Sequence, residues 1–469
     1  MTTTNTNAKL LDRKAWEMMT PAPVATAAAM FVSEAGDLDP NQLKLYVTSS
    51  TVHYLYFPLE DAWLQIPSGA LAGTFGAGSC GEWNPLGATG TASAGSATSM
   101  TTTLTIPGSL TGYKFRVTAG TGAGQTITIT SNTTGANAIL YFDTVSTALD
   151  NTSVYELLTG RFYVVNAGTM ASGSFKYYDV ATNAWTTVSQ TGLPATWGTD
   201  GQLTSACHST SAFATGTATA GASTTITNAA KSWTSNQWTG YQIRITSGTG
   251  AGQRRTIASN TGTVITVSSS WTTTPDATSA YSIEGNEDYL YLIGNNAVTM
   301  YRYSISGNSW TTLSPAVARA GAPAAAATFN WIYRETDTLW TNESAIINGR
   351  RIYSFRGGGV STLDYYDIPS NSWTSGVTYQ RAMETFTTGS SAVALAGDIY
   401  IQKEATGRWF RFNPAGNSLD AFSTLLYTQS TAVLGNKGFS ASYTDGATTI
   451  RWVYTLLNTS TVLFRCMII

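Results

Sequence analysis

The sequence predicts an all-β protein built from a repeated four-stranded unit. Three observations carry this: an aromatic–turn–Trp segment recurs along the chain, short alternating β-type runs precede its copies, and Gly, Ser and Thr stand where charged residues usually do. Of 469 residues only 25 are Lys or Arg and 27 Asp or Glu, so 11% of the chain is charged, against ~25% in an ordinary soluble domain.

The first full copy of the segment runs from Tyr56 through Pro58, Glu60 and Asp61 to Trp63. It returns as Tyr178 to Trp185, as Tyr303 to Trp310 and as Tyr366 to Trp373, with a weaker copy from Phe412 to Leu419. In every copy the leading aromatic and the Trp (or Leu419) stand seven positions apart. The residues between them are Asp, Asn, Gly, Pro and Ser, which tolerate turn dihedrals or bond their own backbone, so each copy reads as a β-hairpin with the Trp opening the return strand. A further β-type run lies upstream of each: Leu43–Val47, Phe162–Val165, Tyr289–Ile293, Ile352–Phe355 and Ile399–Ile401. Small-residue runs such as Ala27-Ala28-Ala29-Met30-Phe31 and Ala325-Ala326-Ala327-Thr328-Phe329 supply an innermost strand where several sheets converge. Four strands per unit, inner to outer, make a propeller blade.

The ends of the chain complete the count. Ile450–Tyr454 and Val462–Ile469 give two more strands and stop where a turn–Trp hairpin would start, while Leu10–Met19 reads as the missing outer strand with its Trp16. The N-terminal segment is therefore expected to complete the last blade, which removes two exposed sheet edges; the alternative is a free arm. Six leading positions, Trp16, Trp63, Trp185, Trp310, Trp373 and Leu419, give six blades.

The aromatic–Asp, turn, Asn-x-Trp pattern resembles the kelch repeat, the blade of kelch and galactose-oxidase-type propellers. The resemblance covers most of the chain outside two insertions and implies an all-β, six-bladed, kelch-like β-propeller closed by the N-terminal strand. The sequence departs from the family in that the double glycine is clear only at Gly357-Gly358-Gly359 and that Leu419 replaces one Trp.

Spacing exposes the insertions. Tyr303 and Tyr366 are 63 residues apart, but Tyr56 and Tyr178 are 122 apart and Tyr178 and Tyr303 are 125 apart. The extra segments resemble each other: Gly112-Tyr113-Lys114-Phe115-Arg116 through Gly120-Thr121-Gly122-Ala123-Gly124-Gln125 matches Gly240-Tyr241-Gln242-Ile243-Arg244 through Gly248-Thr249-Gly250-Ala251-Gly252-Gln253. Alternating Thr-rich runs broken by Gly turns predict two copies of a small β-domain. The expected organisation is a discontinuous propeller of residues 1–87, 158–213 and 285–469, with inserted β-domains at 88–157 and 214–284 emerging side by side. The glycine-rich run is expected to be a hairpin turn rather than a phosphate loop, since Thr–Ile strands and no helix follow it. Arg254 and Arg255 are Thr126 and Ile127 in the first copy, which argues against a shared anion site.

Composition restricts the chemistry. A net charge of −2 without a basic block argues against nucleic-acid binding. No apolar run approaches a membrane span, and the polar opening lacks a signal peptide's order. With His53 and His208 as the only histidines and three Cys, copper chemistry of the galactose-oxidase kind is not carried over with the resemblance. His53, inside an aromatic strand, reads as a structural residue, and Cys207-His208 lacks a second ligand pair at metal spacing. Thr444-Asp445-Gly446-Ala447-Thr448 lacks the frame of a sialidase box. No catalytic residue, metal site or cofactor is expected.

Thr/Gly/Ala/Ser richness and tandem β-modules together resemble the structural proteins of tailed-bacteriophage virions. That resemblance implies a non-enzymatic component of the neck, tail or capsid surface, made in the host cytoplasm, homo-oligomeric and partnered by other virion proteins. The alternative is a receptor-binding propeller that binds or processes a host-surface glycan.

Overall fold

The computed structural model describes residues 16–23, 30–33, 45–49, 52–67, 80–165, 174–193, 202–205, 213–286, 288–293, 298–320, 333–334, 351–355, 360–368, 370–381, 384–386, 390–395, 398–403, 406–414, 416–424, 437–445, 448–456 and 461–468. Among the described residues every regular element is a β-strand. The chain is all-β, and among the described residues no sheet closes into a barrel.

Six sheets carry the repeats. In the first, Met30–Ser33, Leu45–Ser49, Val52–Phe57 and Ala62–Ile66 follow one another in spatial as in chain order. The second is Cys80–Asn84, Arg161–Val165, Phe175–Asp179 and Ala184–Thr187; the third is Gln202–Ser205, Tyr289–Ile293, Met300–Ser304 and Ser309–Thr312. The fourth is Tyr333–Arg334, Arg351–Phe355, Thr362–Asp367 and Ser372–Thr378. In the fifth, Ser391–Leu395, Asp398–Gln402, Arg408–Asn413 and Ser418–Thr424 gain a parallel edge strand, Gln380–Arg381. The sixth joins Lys437–Asp445, Thr448–Leu456 and Leu463–Ile468 to Trp16–Met18 from the other end of the chain, with Trp16 opposite Cys466.

The predicted outer strand at Leu10–Met19 is thus present over Trp16–Met18, while residues 10–15 lie outside the described residues. First strands of consecutive sheets lie side by side: Met30–Ser33 against Cys80–Asn84, and Cys80–Asn84 against Gln202–Ser205. Tyr333–Arg334 follows beside Gln202–Ser205, Ser391–Leu395 beside Tyr333–Arg334, and Lys437–Asp445 between Ser391–Leu395 and Met30–Ser33.

One sequence expectation needs correction here. Small residues do not line every innermost strand: Trp83 of Cys80–Asn84 is buried against Phe162, their ring centroids 4.8 Å apart. Gly160, at φ +82°, makes room for it, because a Cβ there would enter the indole ring. The alanines at 27–29 and 325–327 and the glycines at 357–359 lie outside the described residues.

The two insertions leave their sheets at equivalent points, after the first strand. Residues between Asn84 and Arg161 form sheets of their own. One contains Thr126–Thr128, Lys114–Ala119, Val154–Leu158 and Thr89–Thr91; a second contains Ser131–Asn132, Ile139–Tyr141, Ser99–Thr101 and Ala94–Gly95. Their core is a cluster that includes Met100, Ile106, Phe115, Leu140 and Tyr155, joined at its edge by Ala181 from the hairpin tip of the second repeat sheet. Residues between Ser205 and Tyr289 form one seven-stranded sheet, continuous because Arg254–Asn260 runs unbroken where the first copy is divided into two short strands. Trp238, Ile243, Ile265, Trp271 and Tyr281 lie in its core. Entry and exit of the first insertion run together, with Asn84 opposite Arg161 and the Gly87 amide donating to the Leu157 carbonyl at 2.7 Å.

Candidate functional site: tied hairpins and paired modules

The five pairs singled out by the seven-residue spacing share one geometry. Tyr56 lies cross-strand from Trp63, Tyr178 from Trp185, Tyr303 from Trp310, Tyr366 from Trp373 and Phe412 from Leu419. Each leading aromatic also meets the preceding sheet. Ring centroids are 6.0 Å apart for Tyr56–Tyr454, 6.2 Å for Tyr303–Tyr163, 6.2 Å for Tyr366–Tyr291 and 5.9 Å for Phe412–Tyr353. Tyr178 shares a buried cluster with Tyr46 and Leu55, and Trp16 packs on Trp409 at 5.0 Å. These aromatics pack between sheets.

The hairpin tips contain a device that the seven-residue spacing did not single out. Two residues before each Trp (or Leu419) stands Asp61, Asn183, Asn308, Asn371 or Asn417, all left-handed with φ between 43° and 51°. Asn and Asp occupy that region at lower cost than other side chains. In four copies the leading tyrosine hydroxyl donates to the turn residue's Oδ1, at 2.7 Å for Tyr56–Asp61, 2.6 Å for Tyr178–Asn183, 2.7 Å for Tyr303–Asn308 and 2.7 Å for Tyr366–Asn371. Phe412 has no hydroxyl, and Asn417 still takes the left-handed turn. Burial raises the pKa of Tyr178, Tyr303 and Tyr366, which keeps these donors protonated. The signal lay in the sequence as Tyr-x4-Asn/Asp-x-Trp, but spacing alone does not show that the side chains meet.

The same tips tie neighbouring sheets together. Thr20 N donates to Asp61 Oδ1 at 2.9 Å, and Trp63 Nε1 donates to the Thr20 carbonyl at 3.0 Å. Trp185 Nε1 reaches the Pro67 carbonyl at 2.8 Å, and Ser189 N donates to Asn308 Oδ1 at 2.9 Å. Asn371 Nδ2 donates to the Ser314 carbonyl and Asn417 Nδ2 to the Thr378 carbonyl, both at 2.9 Å. Beyond Ser314, Arg319 enters the fourth sheet, where Nε lies 2.6 Å from Asp364 Oδ2 and Nη2 3.0 Å from Ser354 Oγ, all buried.

His53 is wholly buried; its Nδ1 shares a 2.7 Å hydrogen bond with the Tyr46 hydroxyl, and its ring lies 5.2 Å from Trp185. Burial lowers its pKa to about 4, so it is neutral and structural at pH 7. Cys80 and Cys466 are buried and stand in no disulfide. Cys207, His208, Gly446 and Ala447 lie outside the described residues. Among the described residues no three His, Cys, Asp or Glu side chains gather to hold a metal ion, and no helix is long and apolar enough to cross a membrane.

The glycine-rich run is a turn in both modules. Gly120, Gly122 and Gly124 have φ of 74°, 81° and 94°, and Gly248, Gly250 and Gly252 have 77°, 83° and 88°. The loop amides bond internally: Gly124 N donates to the Val117 carbonyl at 2.8 Å and Gly252 N to the Ile245 carbonyl at 2.9 Å. A carboxylate locks each loop from the far side. Asp150 accepts Thr152 Oγ1 at 2.6 Å and Thr121 Oγ1 at 2.8 Å; Asp276 accepts Thr278 Oγ1 at 2.6 Å and Thr249 Oγ1 at 2.8 Å. The threonine hydrogen bonds, from Thr152 and Thr278 foremost, hold both acids below the usual carboxylate pKa range. The repeated Asp-x-Thr-Ser of 150–153 and 276–279 was the legible signal for this lock.

The modules meet through these loops. A Cβ at Gly124 would strike the Thr246 carbonyl of the second module, and one at Gly252 would strike the Thr118 carbonyl of the first, so the contact is reciprocal. Charges line it: Arg116 lies 3.1 Å from Glu284, Arg254 3.5 Å from Glu156, and Arg244 2.9 Å from Glu284. Arg244 Nη1 also donates to the Gly124 carbonyl at 2.9 Å. Burial alone would raise the Glu284 pKa, but Arg116 and Arg244 outweigh it and hold the carboxyl below its ordinary value. Arg254 therefore serves the module contact, while Arg255 bonds the Ser270 carbonyl and Thr272 hydroxyl within its own module, each at 3.0 Å.

No protein-family model matches this chain, and no curated protein matches it significantly.

Proposed function

We propose that the six repeat sheets are the blades of a closed, kelch-like propeller, and that the chain is a non-enzymatic structural component of a tailed-bacteriophage virion. In this role the propeller is a docking scaffold and the paired modules are an exposed contact element toward other virion proteins or further copies of the chain. The cyclic succession of first strands supports closure, together with the antiparallel pairing of Trp16–Met18 with Leu463–Ile468.

One observation carries the functional part. The aromatic and polar side chains that the repeats place at fixed phase are engaged in tying sheet to sheet, as the Tyr–Asn and Trp–carbonyl bonds do. The protein thereby invests its side-chain chemistry in rigidity, which suits an assembly part. Thr-rich modules of near-neutral charge accord with the same role.

Mass spectrometry of purified particles from the phage encoding the chain, paired with a glycan array and a polysaccharide-cleavage assay on the isolated protein, tests this. Recovery at a fixed copy number relative to the portal, with no glycan bound or cleaved, is the expected result. Absence from particles, or cleavage or tight binding of host polysaccharide, overturns the non-enzymatic structural reading in favour of glycan recognition.

A further inference from the structure

We propose that the charges at the module junction are an address: they select the module of the other kind and reject a second module of the same kind. The surface concerned is self-complementary in shape. Gly124 faces Thr246 as Gly252 faces Thr118, and Ala251 and Ala123 lie beside the opposing glycines. By shape alone, any two such modules could pair about a twofold axis, within one chain or between copies.

The charges break this equivalence. Arg116 and Arg244 occupy matching positions, as the register shows: Arg116 lies opposite Thr126 and Glu156, and Arg244 opposite Arg254 and Ser282. Two residues further along, Lys114 faces Leu158 and Gln242 faces Glu284. The first module thus presents its acid at the 156 position and the second at the 284 position, and only the second carries the extra arginine.

Across the observed junction Arg116 finds Glu284 and Arg254 finds Glu156. The twofold-related positions hold no ion pair: Arg244 has Leu158 as its counterpart, and Thr126 has Ser282. A pair of first modules would place Arg116 against Leu158 and Glu156 against Thr126, twice over. A pair of second modules would keep Arg244 near Glu284 but set Arg254 against Ser282, leaving four arginines to two glutamates. Arg116, Glu156, Arg244 and Glu284 are buried here, and a buried charge that exchanges an opposite charge across the junction for Leu158 or Thr126 loses stabilisation. In an oligomer or on a crowded particle, the address keeps each chain's modules closed on each other instead of cross-linking neighbours.

The test uses the full chain with Ala123→Cys and Ala251→Cys in a Cys207→Ser background, joined by a short bis-maleimide. The parent is expected to cross-link within one chain. Arg254→Glu, and separately Glu156→Arg, should each slow intrachain cross-linking about tenfold and raise interchain products. The double variant Arg254→Glu/Glu156→Arg should return to within about twofold of the parent. The milder Arg254→Thr, the first module's own residue, guards against a variant that fails to fold and should slow the reaction about threefold. Single variants that cross-link like the parent, or a double variant no better than the singles, overturn the address.

Discussion

The six repeat sheets and the two inserted modules use the same small vocabulary of left-handed turn residues and hydroxyl-to-carbonyl or hydroxyl-to-carboxylate bonds, yet they spend it in different directions. In the sheets the turn residue faces outward to a neighbour: Asn308 takes the Tyr303 hydroxyl from its own hairpin and the Ser189 amide from the preceding sheet. In the modules the bonds stay inside: Asp276 collects Thr278 of its own turn and Thr249 of the glycine loop. Their cores differ accordingly, the sheets meeting through Tyr, Trp and Phe contacts across their boundaries and the modules each enclosing their own cluster. A sheet therefore depends on its neighbours for stability, whereas a module depends mainly on itself.

Unequal deletions would expose this contrast most strongly. Removing residues 1–19 takes away the Trp16–Met18 strand, the Trp16–Trp409 contact and the Arg465–Glu17 pair at 2.9 Å, and should cost about 3 kcal/mol. Removing the much longer 88–157, whose entry and exit already pair through Asn84 and Arg161, should leave the repeat sheets folded with a smaller loss. Chemical denaturation of both deletions ranks them, and a soluble, unchanged 1–19 deletion would return the N-terminal segment to the status of a free arm.

His53 sharpens the comparison through pH, because it lies in a sheet-to-sheet cluster and the described parts of the modules contain no histidine. Its folded-state pKa of about 4 lies below the ordinary 6.5, so the unfolded chain takes up the proton first as pH falls. The stability it contributes is complete above pH 6.5 and is lost progressively down to pH 4, to a limit of about 3 kcal/mol. Denaturation curves at pH 7 and 4.5 should show that loss, and His53→Gln should flatten it.

The smallest expected effect is at the hairpin tips. Tyr303→Phe removes one hydrogen bond and should cost about 1 kcal/mol, while Phe412→Tyr should add the bond that the fifth sheet lacks and stabilise by about 0.5 kcal/mol. Equal and negligible shifts in both variants would show that left-handed turn geometry alone secures the tips.

Much of the architecture was legible because it is periodic. The seven-residue spacing from Tyr56 to Trp63 and its recurrences placed a cross-strand pair in each sheet, and the duplication around Gly120–Gly124 and Gly248–Gly252 placed the modules. Local chemistry was half legible: Asp-x-Thr-Ser and Tyr-x4-Asn/Asp-x-Trp stand in the sequence, but a pattern does not say which hydroxyl meets which oxygen. The small-residue expectation failed at Trp83 because a glycine far along the chain, Gly160, opens space for the indole.

The sequence by itself determined the all-β class, the strand order within a sheet and the existence of two related insertions, since alternation and turn chemistry act over a few residues. Only the tertiary structure decided which charges pair. Arg116 and Glu284, and Arg254 and Glu156, are brought together from different modules by close approach at two glycines. Such contacts depend on burial and on distance in space, neither of which a local pattern encodes.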